Sequence, residues 1–230
     1  MTALRECPLS MRLGPTTTLE GALCVPPRAR GLVVFVHGSG SSRHSARNRA
    51  VAGVLQAGGL ATLLFDLLTP DEEAVDTVTR HLRFDIELLS TRVVAVVDQL
   101  CRRSETTGLA LGLFGASTGA AAALVAAAAR PRQVEAVVCR GGRPDLAMSS
   151  LGQVAAPVLL LVGDRDDVVV ALNESALAHL RGEAQLMLIQ GATHLFEESG
   201  TLDLVATHAC RWFRQHLGTG HPEVLPLELR

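Results

Sequence analysis

The chain has 230 residues and a mass of 24.3 kDa, with 48% hydrophobic and 19% charged residues, a composition of compact globular proteins and not of disordered ones. Aromatic residues are 3% with no tyrosine, so Val, Leu and Ala must fill the core. A net charge of −2 gives no basis for nucleic acid or an anionic membrane as partner, and neither is expected.

Thr16 to Val25 alternates loosely and stops at Pro26-Pro27, which predicts an early antiparallel edge strand. Leu32 to Val36 (LVVFV) is continuously apolar and enters His37-Gly38-Ser39-Gly40, a buried strand ending in a glycine turn. Ser45 to Ala57 carries Ala50, Val51, Val54 and Leu55 at helical spacing, closed by Gly58-Gly59. Ala61 to Leu68 reads as another buried strand. Thr69-Pro70 then opens what reads as a polar loop, followed by a long helix from about Phe84 to Arg102 with Ile86, Leu89, Val93, Val96, Val97 and Leu100 on one face.

Leu109 to Gly119 (LALGLFGASTG) comes next, an apolar run that ends in Gly115-Ala116-Ser117-Thr118-Gly119 and is followed by an alanine-rich helix to Ala129. This predicts strand, sharp turn and helix, with Ser117 at the tip and glycines where the two backbones come too close for a Cβ. Strands follow at Val134–Cys139, Val158–Val162 and Ala184–Ile189, with helices at about Val170–Leu180 and Leu202–His216. Trp212 and Phe213 in the last helix are expected to pack in the core. Strands alternating with helices, and apolar on both faces, predict an α/β fold with a mostly parallel central sheet covered by helices on both faces. One domain is expected over residues 1–230, with its core at about 16–217 and a tail at 218–230 that has no readable periodicity. The stretch between Gly142 and Val158 is too short for a lid domain.

Cys7, Cys24, Cys101, Cys139 and Cys210 are scattered singly, without C-x-x-C or metal-ligand spacing. Free thiols in a reducing compartment are the expectation, with no metal and no cofactor. The N-terminus has charges where a signal peptide needs an apolar core. The longest apolar run, Gly119 to Ala129, is short and bounded by Arg130. A cytoplasmic protein, monomeric or homodimeric, is expected.

In an open α/β sheet ligands sit beyond the carboxyl ends of the strands, and His37, Ser117, Arg140, Asp166 and His194 all fall at such ends. The order Ser117, then an acid after a later strand, then His194 after the last strand is the chain order of a Ser-Asp-His triad on this type of sheet. Ser117 is the candidate nucleophile and His194 the candidate general base. Helix capping by Ser117 and an ordinary surface role for His194 are the plain alternatives. For the acid, Asp166 is preferred, with Asp164 as the alternative; Asp167 reads as a helix cap and Asp66 as structural. Backbone N–H groups of Ser39 and Thr118 are the candidate oxyanion donors, with His37 bracing the turn. Arg43, Arg47 and Arg49 on one side, and Arg140 and Arg143 on the other, flank this edge. Arg140 or Arg143 is a candidate for binding an anionic group of a substrate, against pairing with loop carbonyls or Asp145.

VHGSGSSRHSARNR, GLFGASTGAA, CRGGRPDLA, LLVGDRDDVVVALN and QGATHLFEE together resemble the dienelactone hydrolase-related branch of the α/β-hydrolase superfamily, over about Leu32 to Leu217. The resemblance implies the α/β-hydrolase fold and a triad of Ser117, Asp166 and His194. Its G-x-x-D pattern falls on Gly163 and Asp166. The enzyme that names the group has a cysteine nucleophile where this chain has Ser117, so a serine esterase is the expected form. Expected function is therefore hydrolysis of a small ester or lactone, anionic or neutral. Acyl transfer or cofactor-free perhydrolysis on the same triad, and a non-catalytic binding module on the same scaffold, are the alternatives.

Overall fold

A computed structural model describes residues 5–218, so the first four residues and the tail beyond Gly218 lie outside it. Its centre is an eight-stranded sheet in the order β1-β2-β4-β3-β5-β6-β7-β8. From β3 (Gly31–Val36) onward neighbours run parallel, through β4 (Ala61–Phe65) on one side and β5 (Ala110–Ala116), β6 (Val134–Arg140), β7 (Val158–Gly163) and β8 (Ala184–Ile189) on the other. Every residue of β3, β4, β5 and β7 is buried, as strands roofed on both faces must be.

The antiparallel end differs from the sequence expectation. The predicted edge strand forms as β2 (Thr18–Cys24), but it pairs with β4 and with a further strand, β1 (Cys7–Arg12), which is the actual edge. In β1 only Leu9 and Met11 face inward, a period-two pattern too short to stand out, and Pro8 sits where an edge strand tolerates it.

Two apolar cores sandwich the sheet. On one face α1 (Ala46–Ala57) and α7 (Thr201–His216) bring Val51, Leu55, Trp212 and Phe213 against Phe35, Phe114 and Val138. On the other, α3 (Ile86–Leu100) and α4 (Thr118–Ala129) press Val93, Val97 and a block of alanines against Leu63, Leu113 and Val137. Small residues set these distances: a Cβ on Gly112 would lie 2.6 Å from the Phe213 ring, so the glycine is the socket for that side chain.

The segment after β4 is also a correction. Residues Pro70–Thr79, expected as a loop, form helix α2. Thr69 and Glu72 make a reciprocal capping box, Pro70 occupies the first turn, and three acidic residues face the positive end of the helix dipole. Glu72 also pairs with the buried Arg92 of α3, which fastens α2 to the body. Local capping outweighed the polar composition. Between β6 and β7 there is only a short 3₁₀ turn (Pro144–Ala147) and α5 (Met148–Leu151), then α6 (Asp167–Leu177) follows β7. Among the described residues no helix is long and apolar enough to cross a membrane.

The tightest packing is at the β5–α4 junction, where a Cβ on Gly119 would lie 2.3 Å from the carbonyl oxygens of both Val36 and His37. Backbone cannot retreat from backbone, so Gly119→Ala is expected to destabilise the fold by more than about 3 kcal/mol. Gly53→Ala, in the middle of α1 with open space around it, is expected to stabilise by about 0.5–1 kcal/mol. Urea unfolding of the two variants beside the parent chain checks both signs.

Candidate active site

Ser117 lies between β5 and α4 with φ 51° and ψ −123°, a backbone conformation that a residue with a Cβ adopts only under constraint. The constraint is visible on every side. Its N–H donates to the Arg140 carbonyl (3.1 Å), and its own carbonyl accepts from Ala120 (3.0 Å) and Arg143 (3.1 Å). Gly115 removes the clash with Ala120, whose Cα would lie 2.5 Å from an added Cβ. Ser117 remains partly exposed although its chain neighbours from Ala110 to Leu124 are buried, so the turn presents this one residue at the sheet edge.

His194 stands in the loop after β8, and its Nδ1 meets Asp166 Oδ2 at 2.6 Å. Asp166 occupies the N-cap position of α6 but makes no cap hydrogen bond; its carboxylate turns to the histidine instead. The loops that carry the two residues are laced together: Arg165 N–H donates to Ala192 O (3.0 Å), and Gly163 leaves room for that same carbonyl, 2.3 Å from where a Cβ would be. Glu198 holds the His194 loop from the other side, accepting from Thr193 N–H (3.1 Å) and Thr193 Oγ1 (2.6 Å). Phe196 is buried beneath the loop, while Leu195 is exposed. The His194 ring also lies over Gly141, 3.5 Å from where its Cβ would be. Gly141 follows Arg140, the residue whose carbonyl receives the Ser117 N–H, so the serine and the His–Asp pair share one corner of the sheet.

The other acids stand elsewhere. Asp164 Oδ1 is buried without a partner, Asp167 is exposed in the first turn of α6, and Asp66 is tied to the backbone N–H (2.7 Å) and the guanidinium of Arg43. Cys139 pairs in register with Gly115, but complete burial pushes its thiol up to about 12, so it stays protonated and inert. Among the described residues no group of three or more His, Cys, Asp or Glu is placed to hold a metal.

The turn after β3 packs directly on the elbow: a Cβ on Gly38 would lie 3.0 Å from Ser117 Cβ. Ser39 N–H, expected to face the site, donates to Thr118 Oγ1 at 2.9 Å. The hydroxyl of Thr118 therefore fixes the turn to the start of α4, a role not readable from the sequence. A cavity of about 600 Å³ runs along the same turn between His37, Arg43, Asp66, Thr69 and Glu73, and neither Ser117 nor His194 lines it.

The sequence profile of the alpha/beta hydrolase domain family matches residues 29–215, nearly all of the sheet and its helices. The chain belongs to the α/β-hydrolase superfamily. A structure described as dienelactone hydrolase, from Anabaena variabilis, superposes with a TM-score of 0.91 at 55% identity, over 93% of this chain and 99% of that one. The chain thus falls in the dienelactone hydrolase-related branch. Est1E from Butyrivibrio proteoclasticus (TM-score 0.76, 17% identity, 90% and 98% of the two chains) and an esterase domain from Rhodothermus marinus (0.72, 19%, 92% and 99%) share the fold. Proteins from two strains of Mycobacterium tuberculosis, provisionally named phosphoribosyl transferases, are 56% identical over 214 residues. The match covers 93% of this chain and 47% of theirs, so the chain spans about half the length of these relatives.

Of the two arginines at and just after the end of β6, Arg143 is committed to Asp145 in a two-pronged pair (2.8 and 2.7 Å), and that pairing holds its guanidinium charged. Arg140 has no such partner. His37, buried at the start of the turn after β3, places Nδ1 2.9 Å from Gly38 O and accepts Leu67 N–H at Nε2 (3.1 Å). With one nitrogen donating and the other accepting, the ring is neutral, and burial holds its pKa below the usual 6.5. The unfolded chain then binds a proton that the folded chain refuses. The contribution of His37 is complete above 6.5 and is lost as pH falls below it. His37→Gln is expected to unfold about 1–2 kcal/mol more easily at about pH 8, with the gap to the parent narrowing by about pH 5. Denaturant midpoints across that range check the sign.

Proposed function

We propose that this hydrolase cleaves a carboxylic ester or lactone through an acyl-enzyme on Ser117. The observation that carries the reading is the 2.6 Å contact between His194 Nδ1 and Asp166 Oδ2 at the strand ends, beside a serine held in a constrained turn. In the proposed cycle Asp166 fixes the histidine with its proton on Nδ1, leaving Nε2 to take the proton of Ser117 Oγ as the oxygen attacks the carbonyl carbon. His194 then gives that proton to the departing alkoxide. Water, losing a proton to His194, attacks the acyl-enzyme and regenerates Ser117.

The negative charge on the tetrahedral intermediate is assigned to the backbone N–H groups of Thr118, at the start of α4, and Ser39. Since Ser39 N–H rests on Thr118 Oγ1, it must share that hydrogen bond with the oxyanion or release it as the charge develops. The proposed substrate is a small molecule, and no cofactor enters the cycle. We assign the phosphoribosyl transferase name of the mycobacterial relatives to the half of those chains outside the 214 aligned residues, because the aligned half is the hydrolase fold.

A fluorophosphonate probe is expected to label the parent protein and not Ser117→Ala. On a short-chain p-nitrophenyl ester, Ser117→Ala and His194→Ala are each expected to lower kcat by about 10⁴-fold or more, and Asp166→Asn by a comparable factor. A folded parent protein that neither labels nor turns over such esters would overturn the reading.

A further inference from the structure

The cleft of about 600 Å³ along the turn after β3 has no part in the proposed cycle as it stands. It opens at the carboxyl ends of β3 and β4, between Gly40 to Ser45 on one side and Asp66 and Leu68 on the other. Glu20 of β2 closes the far side, its carbonyl accepting the Asp66 N–H (2.9 Å). Thr69, Pro70 and Glu73, at the start of α2, form the last wall. Ser117 follows β5, which β3 alone separates from β4, so the cleft lies about 10 Å away along the sheet edge. The turn bridges that distance. Gly38 abuts Ser117 and Ser39 N–H rests on Thr118 Oγ1, while the next two residues, Gly40 and Ser41, line the cleft.

The polar groups on these walls are of two kinds. Three hydroxyls already accept a backbone N–H: Ser42 from His44 (3.2 Å), Ser45 from Asn48 (3.3 Å) and Thr69 from Glu72 (3.3 Å). A hydroxyl that accepts still has its hydrogen to give, so these three are spare donors. Carboxylates are the acceptors. Asp66 is taken by Arg43 and Glu20 by the Ser10 hydroxyl (2.9 Å), which leaves Glu73 without a partner among the described residues. Three carboxylates against one guanidinium repel an anion. A cation would meet Glu73 but accept nothing from the hydroxyls. Groups that donate and accept at once satisfy both kinds, and alcohol hydroxyls are such groups. Leu68 and Pro70 add apolar surface for the C–H face of a ring. The volume is that of a small-molecule site, with room for a monosaccharide.

We propose that this cleft binds the alcohol end of the substrate, and that this end is an uncharged polyol such as a sugar. Its link to turnover rests on the Ser117 reading, whereas the cleft would hold the polyol without that chemistry. In the cycle the bond from the acyl carbon to Ser117 Oγ forms and the bond from that carbon to the sugar oxygen breaks. The sugar alkoxide takes the proton from His194 and leaves by way of the cleft, while the acyl group stays on the serine. Ser41 and Glu73 then select the substrate and take no part in the chemistry.

Three acetate esters that differ only in the alcohol test the cleft: ethyl acetate, methyl 6-O-acetyl-glucopyranoside and acetylcholine, with acid release followed at constant pH. The glucoside ester is expected to exceed ethyl acetate in kcat/KM by about tenfold or more, and acetylcholine is expected to be no better than ethyl acetate. The ratio of glucoside ester to ethyl ester is expected to fall about tenfold in Glu73→Ala and about threefold in Ser41→Ala. Glu73 is exposed on α2, so its replacement leaves the fold intact, unlike changes at the helix caps Ser45 and Thr69. NMR titration with methyl glucopyranoside reads the cleft without turnover. One site is expected in the parent protein, weakened about tenfold in Glu73→Ala. Equal kcat/KM on the three esters, a preference for acetylcholine, or no sugar binding by the parent protein would overturn the polyol site. Fluorophosphonate labelling of the same samples reports on Ser117 alone. Sugar binding without labelling would sink the Ser117 reading and leave the cleft standing; labelling without sugar binding would do the reverse.

Discussion

The rest of this structure depends on a contact between backbones. The β5–α4 elbow and the turn after β3 approach so closely that Gly119 lies against the carbonyl oxygens of Val36 and His37, and Gly38 lies against Ser117. Only hydrogens fit there. Because both turns are fixed to each other, Ser117 can hold a backbone conformation that would relax in a free chain, at a cost of order 1–3 kcal/mol. The same closeness fixes the relation between a serine from one strand end and amides from another. Thr118 adds a hydrogen bond across the contact, and Ser117 N–H and O are both tied to the β6 corner.

Around that contact the polar groups divide into satisfied and unsatisfied ones. His37 is buried, neutral and used at both nitrogens, so it is a strut of the turn. Asp66 with Arg43, Asp76 with Arg83 and Glu72 with Arg92 are closed pairs that bind loops and helices to the body. Cys139 is too deeply buried to ionise. What remains open is one corner, where a serine is partly exposed, a histidine is paired on one side only, and Arg140 Nη1 is enclosed without a partner. In a folded chain, groups left open together at the strand ends of an α/β sheet mark where a ligand completes the arrangement.

The relatives place this corner in a family without supplying the substrate. High identity to a dienelactone hydrolase structure extends over the whole domain, whereas more distant esterases share only the fold. The mycobacterial relatives show the same unit occupying about half of a longer chain. A fold that serves many ester chemistries leaves selectivity to the side chains at its rim.

Most of the architecture was legible in the sequence. Continuous apolar runs such as LVVFV and VLLLV can only be strands buried on both faces, and the glycine-serine-glycine elbow between a strand and an alanine block admits few other structures. The errors have local causes. Helix α2 was hidden by its acidic composition although Thr69, Pro70 and Glu72 spelled a capping box, and β1 was too short for its two inward residues to register. For the site, the chain order of Ser117, Asp166 and His194 came from the strand ends alone. Choosing Asp166 over Asp164 from sequence needed a family resemblance, because which of two neighbouring carboxylates turns to the histidine depends on a loop laced to a distant one through Gly163 and Ala192. The tertiary structure also decided that Arg143 is spent on Asp145 while Arg140 is not, and that Ser39 N–H rests on Thr118. Sequence determines which groups lie at the end of each strand, since hydrophobic periodicity is a local property. Which of those groups find partners is settled only when strands far apart in the chain are brought side by side, since a hydrogen bond or an ion pair is decided by ångströms.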